Sequence, residues 1–363
     1  MPILVADIAD ITVYRGTLEH LDTGEPEATA VVVEVACRLA AAEAFDDGPA
    51  TCLAVLKGNQ RRHDVTRAEQ LEQMTQKGGF IAALDQSGGS TPGALRAYGI
   101  PDSAYSSDHD MFQLIHAMRV RIMTSPAFIG GRIIGAILFE ATMDGSANGE
   151  AVPSFLASRG VVPFLKVDKG LDPDNDGVSL MKPISGLDAL LDRAAKLGVF
   201  GTKMRSVITL ASEHGIAAAV AQQFALAKQI IGHGLMPIIE PEVSIKSPDK
   251  ASAEAILLDQ ISKQLDALPP GSQVMLKLTI PDVTDHYVGL TRDDRVARVV
   301  ALSGGYTRKE ACRRLATNHG VIASFSRALI ADLNQAMSDD EFNSALATAI
   351  AEIYRASIDK QDA

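Results

Sequence analysis

A lysine interrupts VMLKLT (Val274 to Thr279), a run that otherwise reads as a fully buried β-strand. A cation in such a place is costly unless it is paired or neutral, and a neutral lysine is a nucleophile for a carbonyl carbon. Lys277 is therefore the first candidate for chemistry. Free lysine has a pKa of about 10.4, so only roughly a few in 10,000 are neutral at pH 7. A nucleophilic lysine must be helped by burial and a nearby cation. The plainer alternative is a strand lysine that snorkels to the strand end or pairs with Glu240. Other apolar runs end in polar residues of the same sort: Asp85, Glu140, Lys166 with Asp168, Lys203, Glu240 with Glu242, Ser303 and Arg327.

The elements that must position these residues follow from the apolar runs themselves. Short segments rich in Val, Ile and Phe predict strands at Phe80 to Asp85, Ile133 to Glu140, Val161 to Asp168 and Phe200 to Met204. Four more follow at Met236 to Glu242, Val274 to Thr279, Val299 to Gly305 and Ile322 to Arg327. Helical patterning lies between them, at Leu187 to Leu197, Ile216 to Ile231, Ala251 to Leu265 and Arg308 to Ala316. Eight alternating β/α units predict an α/β protein, a closed (β/α)8 barrel of the TIM type. Polar residues late in each strand would then converge on the carboxyl-end mouth, the active-site face of this fold.

Length leaves room for more than a barrel, since 363 residues exceed the roughly 250 that are typical. The expected division is an N-terminal extension over residues 1–65, loosely docked or poorly ordered, and a barrel domain over 66–363. The extension holds five Lys plus Arg against eleven Asp plus Glu, a net −6 of the total −11, so the remainder carries −5. Within it Ala28 to Phe45 suits one helix, although Val31 to Val33 also permits a strand. At Thr66, with Glu69 three residues on, a capping box opens a short helix to about Gln76.

The negative charge argues against nucleic acid or an anionic membrane as partner. No targeting signal or long apolar run is visible, which predicts a cytoplasmic protein. Cys37, Cys52 and Cys312 are an odd set without metal or redox spacing, consistent with a reducing compartment. Asp172, Asp174, Asp176 and Gly177 begin like a calcium loop, but position twelve is Pro183, so the stretch reads as an acidic turn. His109, between two aspartates, reads as part of a helix start. The eight histidines form no metal-ligand cluster, and no Walker or dinucleotide glycine pattern occurs. Neither metal nor ATP nor NAD is expected.

Seven motifs, in order along the chain, carry a family resemblance: GGFIAALDQSGGSTP (Gly78 to Pro92), FLKVDKG (Phe164 to Gly170), FGTKMR (Phe200 to Arg205), PIIEPEV (Pro237 to Val243), MLKLT (Met275 to Thr279), LSGG (Leu302 to Gly305) and SFSRAL (Ser324 to Leu329). From about Thr66 to the C-terminus the chain resembles class I fructose-bisphosphate aldolase, in the wording of its bacterial branch. That resemblance implies a lyase of glycolysis and gluconeogenesis, with sugar phosphates as its small-molecule partners and no metal or other cofactor. Its reaction is reversible cleavage of fructose 1,6-bisphosphate to dihydroxyacetone phosphate and glyceraldehyde 3-phosphate through a lysine Schiff base.

The resemblance also implies roles. Lys277 matches the Schiff-base lysine and Lys203 the second active-site lysine, a neighbouring cation that also helps to eject water from the carbinolamine. Glu240 is implied as proton acceptor and donor. Glu242, two residues on along the same strand, points the same way, so that repulsion between the two carboxylates would favour protonating one; the alternative is that both merely form salt bridges with lysines across the barrel. Asp85 is implied as the base for the C4 hydroxyl proton, against the alternative of a helix N-cap.

A bisphosphate needs two anion sites. Ser303, Gly304 and Gly305 with Arg327 suit the first, and Ser87 and Ser90 with Lys166, and Arg205 near the same mouth, the second. Two departures stand out. The animal enzymes' C-terminal tyrosine is replaced by DKQDA, with Tyr354 in a helical setting, and Gly93 stands where bacterial relatives bear a lysine. Two other readings stay open: an imine-forming aldolase for a monophosphate, lacking a second phosphate site, and an inactive barrel kept as a scaffold. A homo-oligomer is compatible with the sequence, which does not fix subunit number.

Overall fold

In the computed structural model the described residues are 66–362, together with two N-terminal strands. The chain divides into two compact units, Met1–Asp64 and Val65–Ala363. In the first, Pro2–Asp7 pairs antiparallel with Thr12–Thr17. The helix expected at Ala28 to Phe45 lies outside the described residues.

The second unit is the expected barrel. Eight strands follow in chain order, β1 (Phe80–Leu84), β2 (Ile133–Leu138), β3 (Val162–Lys166), β4 (Gly201–Ile208), β5 (Met236–Val243), β6 (Val274–Thr279), β7 (Val296–Leu302) and β8 (Ile322–Ala323). Each pairs parallel with the next. The seam is joined where the Ala83 N–H donates to the Phe325 carbonyl at 3.1 Å. Helices α1 (Arg67–Gln76), α2 (Asp108–Thr124), α3 (Leu187–Lys196), α4 (Glu213–Gly232), α5 (Lys250–Asp266), α6 (Arg308–Ala316) and α7 (Asp339–Ile358) accompany them. Between β6 and β7 the only helical piece is the short 3-10 turn Leu290–Arg292. There the run Pro281, Asp282, Thr284 and Asp285 favours turns over a helix.

Thr66 and Glu69 form the capping box that opens α1, as expected. That helix closes the amino end of the barrel. Met74 enters the interior, the Gln73 amide donates to the carbonyls of Ile134 and Gly160, both at 2.8 Å, and Arg67 donates to the Phe200 carbonyl. Arg298 at the start of β7 donates back to the Met74 carbonyl at 2.6 Å.

Strand periodicity then divides the interior into layers. Ala83, Phe164, Ile238 and Met275 face inward in an apolar layer. Two residues further along the same strands, or just past the end of β1, stand Asp85, Lys166, Glu240 and Lys277. The site is thus the polar upper layer of the barrel's own core. Gly201 serves the layer beneath it, because a Cβ there would lie 2.2 Å from the Met236 carbonyl oxygen and 2.8 Å from the Phe164 ring.

From the outside, α4 fixes β5. The fully buried Gln223 accepts the Glu240 N–H at 2.8 Å and donates to Ser206 Oγ at 2.6 Å. Replacing it by leucine strands both polar groups, so Gln223→Leu is expected to lose about 1–3 kcal/mol of stability. Chemical denaturation of the two proteins measures the difference.

Candidate active site

The central feature is a line of alternating charges across the mouth. Lys277 Nζ lies 3.1 Å from Glu240 Oε1. Glu240 Oε2 lies 2.9 Å from Lys203 Nζ, and Lys203 Nζ lies 2.5 Å from Asp85 Oδ2. Three strands and the end of a fourth supply these groups, and all four residues are buried, both lysines being 3% exposed. Burial opposes the charge on Asp85, but the ammonium groups of Lys203, Lys277 and Lys166 outweigh it and hold this carboxyl well below the usual carboxylate range. Burial likewise opposes the Lys203 charge, and the carboxylates of Asp85, Glu240 and Asp168 together raise its pKa far above that of a free lysine. Asp85 is therefore an ionised carboxylate and Lys203 a fixed cation at neutral pH.

The two open alternatives resolve differently. Asp85 is not a helix cap, since the helix Thr91–Ala97 has Ser90 at its N-cap and no side-chain cap, while the Asp85 carboxylate is spent on Lys203. Lys277 does pair with Glu240, the plain reading of a strand lysine. The same contact is also what a proton shuttle beside an amine needs, so the pairing excludes neither.

The remaining candidates divide by partner. Glu242 does form a salt bridge, at 3.0 Å, but with Arg205 of the adjacent strand and not with a lysine across the barrel. Lys166 is at the mouth but its ammonium is bound by Asp168, through Oδ1 at 2.6 Å and the carbonyl at 2.9 Å. Burial lowers its pKa from the ordinary lysine value, with Asp168 pulling the other way. Ser87 and Ser90 close a turn on each other, the Ser87 N–H donating to Ser90 Oγ at 3.1 Å and Ser90 Oγ donating to the Ser87 carbonyl at 2.9 Å.

Ser303 is buried just past the end of β7. Gly304 and Gly305 follow in left-handed conformations, φ 59° and 117°, which glycine adopts without strain. A Cβ at Gly305 would lie 3.6 Å from an Arg327 Nη, so bare backbone and guanidinium meet there. Arg327 is exposed and, among the described residues, has no ion-pair partner.

Two expected placements need correction. Glu140 is not a strand residue of the mouth but opens the helix Glu140–Met143, and its carboxylate is held by Lys169 and Arg193. An acid at a helix N-terminus is favoured by the unpaired N–H groups there. Arg327 does not extend from β8, which ends at Ala323, but begins the helix Arg327–Ile330. Tyr354 lies in α7, the helical setting expected of it, with the Arg132 guanidinium 5.9 Å from its ring centre, beside the amino end of β2 and so away from the mouth.

One residue that the strand-end pattern missed is Arg119. It is 1% exposed, and its guanidinium donates to the carbonyl of Gln86, next to Asp85. Its signal was a single cation within the apolar stripe Met111, Ile115, Met118, Ile122 of α2. The acidic loop is tied up by hydroxyls, Thr209 donating to Asp174 and Ser212 to Asp176. His109 falls in the first turn of α2, which Ser107 caps.

With this geometry in hand, comparison with known proteins is specific. Residues 68–265 match the family model described as "Glycolytic: Fructose-bisphosphate aldolase class-I". The fructose-bisphosphate aldolase class 1 of Synechocystis sp. (strain ATCC 27184 / PCC 6803 / Kazusa) is 56% identical over 291 residues, covering 80% of this chain and 97% of that protein. Among solved structures, the fructose-bisphosphate aldolase of Plasmodium falciparum, crystallised with TRAP and a small-molecule inhibitor, aligns with a TM-score of 0.63 at 22% identity. That alignment spans 82% of this chain and 95% of the other, and bears on the fold alone.

Proposed function

Because the chain belongs to the class I fructose-bisphosphate aldolase family, and so is an aldehyde-lyase, we propose that its mouth residues divide the Schiff-base reaction among them as follows. The Lys277 amine attacks C2 of the ketose to give a carbinolamine. Glu240, in contact with that amine, delivers the proton that lets the C2 hydroxyl leave as water. The resulting iminium is an electron sink. Asp85 takes the C4 hydroxyl proton, the C3 to C4 bond breaks toward the iminium, and glyceraldehyde 3-phosphate departs. The enamine left on Lys277 is protonated at C3, and hydrolysis of the imine releases dihydroxyacetone phosphate.

Lys203 binds both Glu240 and Asp85, so it holds acid and base at a fixed spacing and keeps the base ionised. Glu242 orients Arg205. The observation that carries this reading is the buried line Lys277, Glu240, Lys203, Asp85.

Ser303, Gly304, Gly305 and Arg327 suit one phosphate, and Lys166, Arg205, Ser87 and Ser90 the other. Lys166 must leave Asp168 in part to serve there. Arg327→Ala is expected to raise KM for the bisphosphate by about 10- to 100-fold with little change in thermal stability, because this exposed guanidinium has no ion pair among the described residues to lose. Steady-state kinetics against fructose 1,6-bisphosphate and fructose 1-phosphate measure it. The glycolytic family description supports a place in cytoplasmic glycolysis and gluconeogenesis. The division into an N-terminal extension, 1–65, and a catalytic barrel, 66–363, is part of the same proposal.

Borohydride reduction in the presence of dihydroxyacetone phosphate, followed by peptide mass spectrometry, tests the reading. The adduct is expected on Lys277. An adduct on another lysine, or none, would overturn it.

A further inference from the structure

The groups that face substrate do not account for Arg119. This residue of α2 is 1% exposed, and a guanidinium is seldom buried without a carboxylate partner. Here, among the described residues, none binds it directly. Its two Nη groups donate to neutral acceptors, one to the Gln86 carbonyl and the other to Thr142 Oγ1 at 2.8 Å. Its Nε has no hydrogen-bond partner among the described residues, and its plane lies near the Phe139 ring, 5.8 Å from the ring centre, which Phe112 of the same helix stacks from 5.7 Å. Burial pushes its pKa down to about 10, with the charge of Asp85 opposing, so it stays a cation at neutral pH.

What Arg119 grips is the turn carrying Asp85. Gln86 follows that residue directly, and its side chain donates to Ser326 Oγ at 2.7 Å, beside Arg327. Thr142 lies in the helix that follows β2. One buried fork thus ties the ends of β1 and β2 together, and through Gln86 the turn after β8. A buried cation in such a spot stabilises little compared with an apolar residue of similar size, so packing alone does not explain it. Placement of the adjoining carboxylate does.

We propose that Arg119 is a positioning residue for carbon–carbon cleavage, fixing the Asp85–Gln86 backbone so that the Asp85 carboxylate stays in line between Lys203 and the C4 hydroxyl of the ketose. This rests on the reading of Asp85 as the base. It separates two halves of the reaction. Schiff-base formation with dihydroxyacetone phosphate needs Lys277 and Glu240 but no C4 hydroxyl, whereas cleavage needs Asp85 as well.

The experiment compares Arg119→Met, Arg119→Lys and Asp85→Asn with the unaltered protein in two assays, borohydride trapping of dihydroxyacetone phosphate and cleavage of fructose 1,6-bisphosphate. Arg119→Met is expected to trap at the ordinary rate while kcat for cleavage falls about 50-fold and KM changes by less than about threefold. Arg119→Lys, which keeps the charge and reaches one acceptor, should recover about tenfold of that loss. Unchanged cleavage in Arg119→Met overturns the proposal, and so does an equal fall in trapping and cleavage, which marks a general structural role. Should Arg119→Met fail to fold, Arg119→Lys decides alone: a selective loss of about fivefold in cleavage upholds the proposal, and no selective loss overturns it. Asp85→Asn tests the premise separately, since full cleavage by that variant removes Asp85 as base whatever Arg119 does.

Discussion

Lys277→Met should abolish cleavage of fructose 1,6-bisphosphate, lowering kcat by about 10,000-fold or more, and leave a folded protein. The loss is large because the covalent route disappears and nothing else in the mouth offers an amine in the same place. Lys203 is the other buried lysine in the line, but it is already held between Asp85 and Glu240 and its pKa is raised far above that of a free lysine. The fold should survive for an equally specific reason. Glu240 keeps Lys203 at 2.9 Å when Lys277 is gone, so no carboxylate is left buried and unpaired. Methionine matches the unbranched lysine stem above the apolar layer of Met275 and Ile238. Its thermal midpoint should stay within a few degrees of the parent's. Residual turnover above about one part in 100, with trapping lost, would mean that the imine is not on the main path.

How much of this was legible in the sequence depended on the kind of information each residue carries. The span of β6 was read without error because VMLKLT is an apolar run with turn formers at both ends. The start of β7 was read three residues late. Arg298 breaks its apolar run, and only the fold reveals that this side chain caps α1 through the Met74 carbonyl. For β8 the difference runs the other way, since SFSRAL is apolar enough to pass for strand while its backbone leaves the strand after Ala323, bends at Ser326 and enters a helix at Arg327. Burial alone does not separate a strand from a buried turn.

At the site, strand periodicity was enough to raise Asp85, Lys203, Glu240 and Lys277 to one layer. It did not assign partners. That Lys203 bridges two carboxylates depends on distances between strands that no spacing along the chain encodes, and that Lys166 is bound by Asp168 depends on how a side chain turns at the strand end. Arg119 was missed for a related reason. Strand-end patterning marks polar residues only where strands end, whereas this one reaches the mouth sideways from a helix.

Partner assignment matters most for Lys203, where the second large effect is expected. Removing it as Lys203→Met leaves Asp85 and Glu240 facing each other, both buried, Asp85 without an ion pair and Glu240 with Lys277 alone. Breaking a buried pair by deleting one partner typically costs about 3–5 kcal/mol, and here two carboxylates share the deleted cation. The variant should be destabilised by at least that much at pH 7, in contrast to Lys277→Met. Acid should narrow the gap. In the parent, Asp85 has a folded-state pKa below its unfolded value, so its contribution is fully present above the unfolded pKa of about 3.9 and is lost as pH falls through the folded value. The raised pKa of Lys203 contributes stability that is present below its unfolded value, about 10.4, and is lost only as pH rises through the higher folded value, so it does not change over the acid range. Without Lys203 the main cause of the Asp85 depression is gone, that carboxyl takes up a proton at higher pH, and acidification relieves repulsion in the variant while the parent keeps its Asp85 contribution in full down to about pH 4. Urea denaturation of both proteins between pH 7 and about pH 4 should therefore show curves that converge. A gap that is constant or widens with acid would mean that Lys203 supports the fold by packing, and not by balancing the two acids between which it lies.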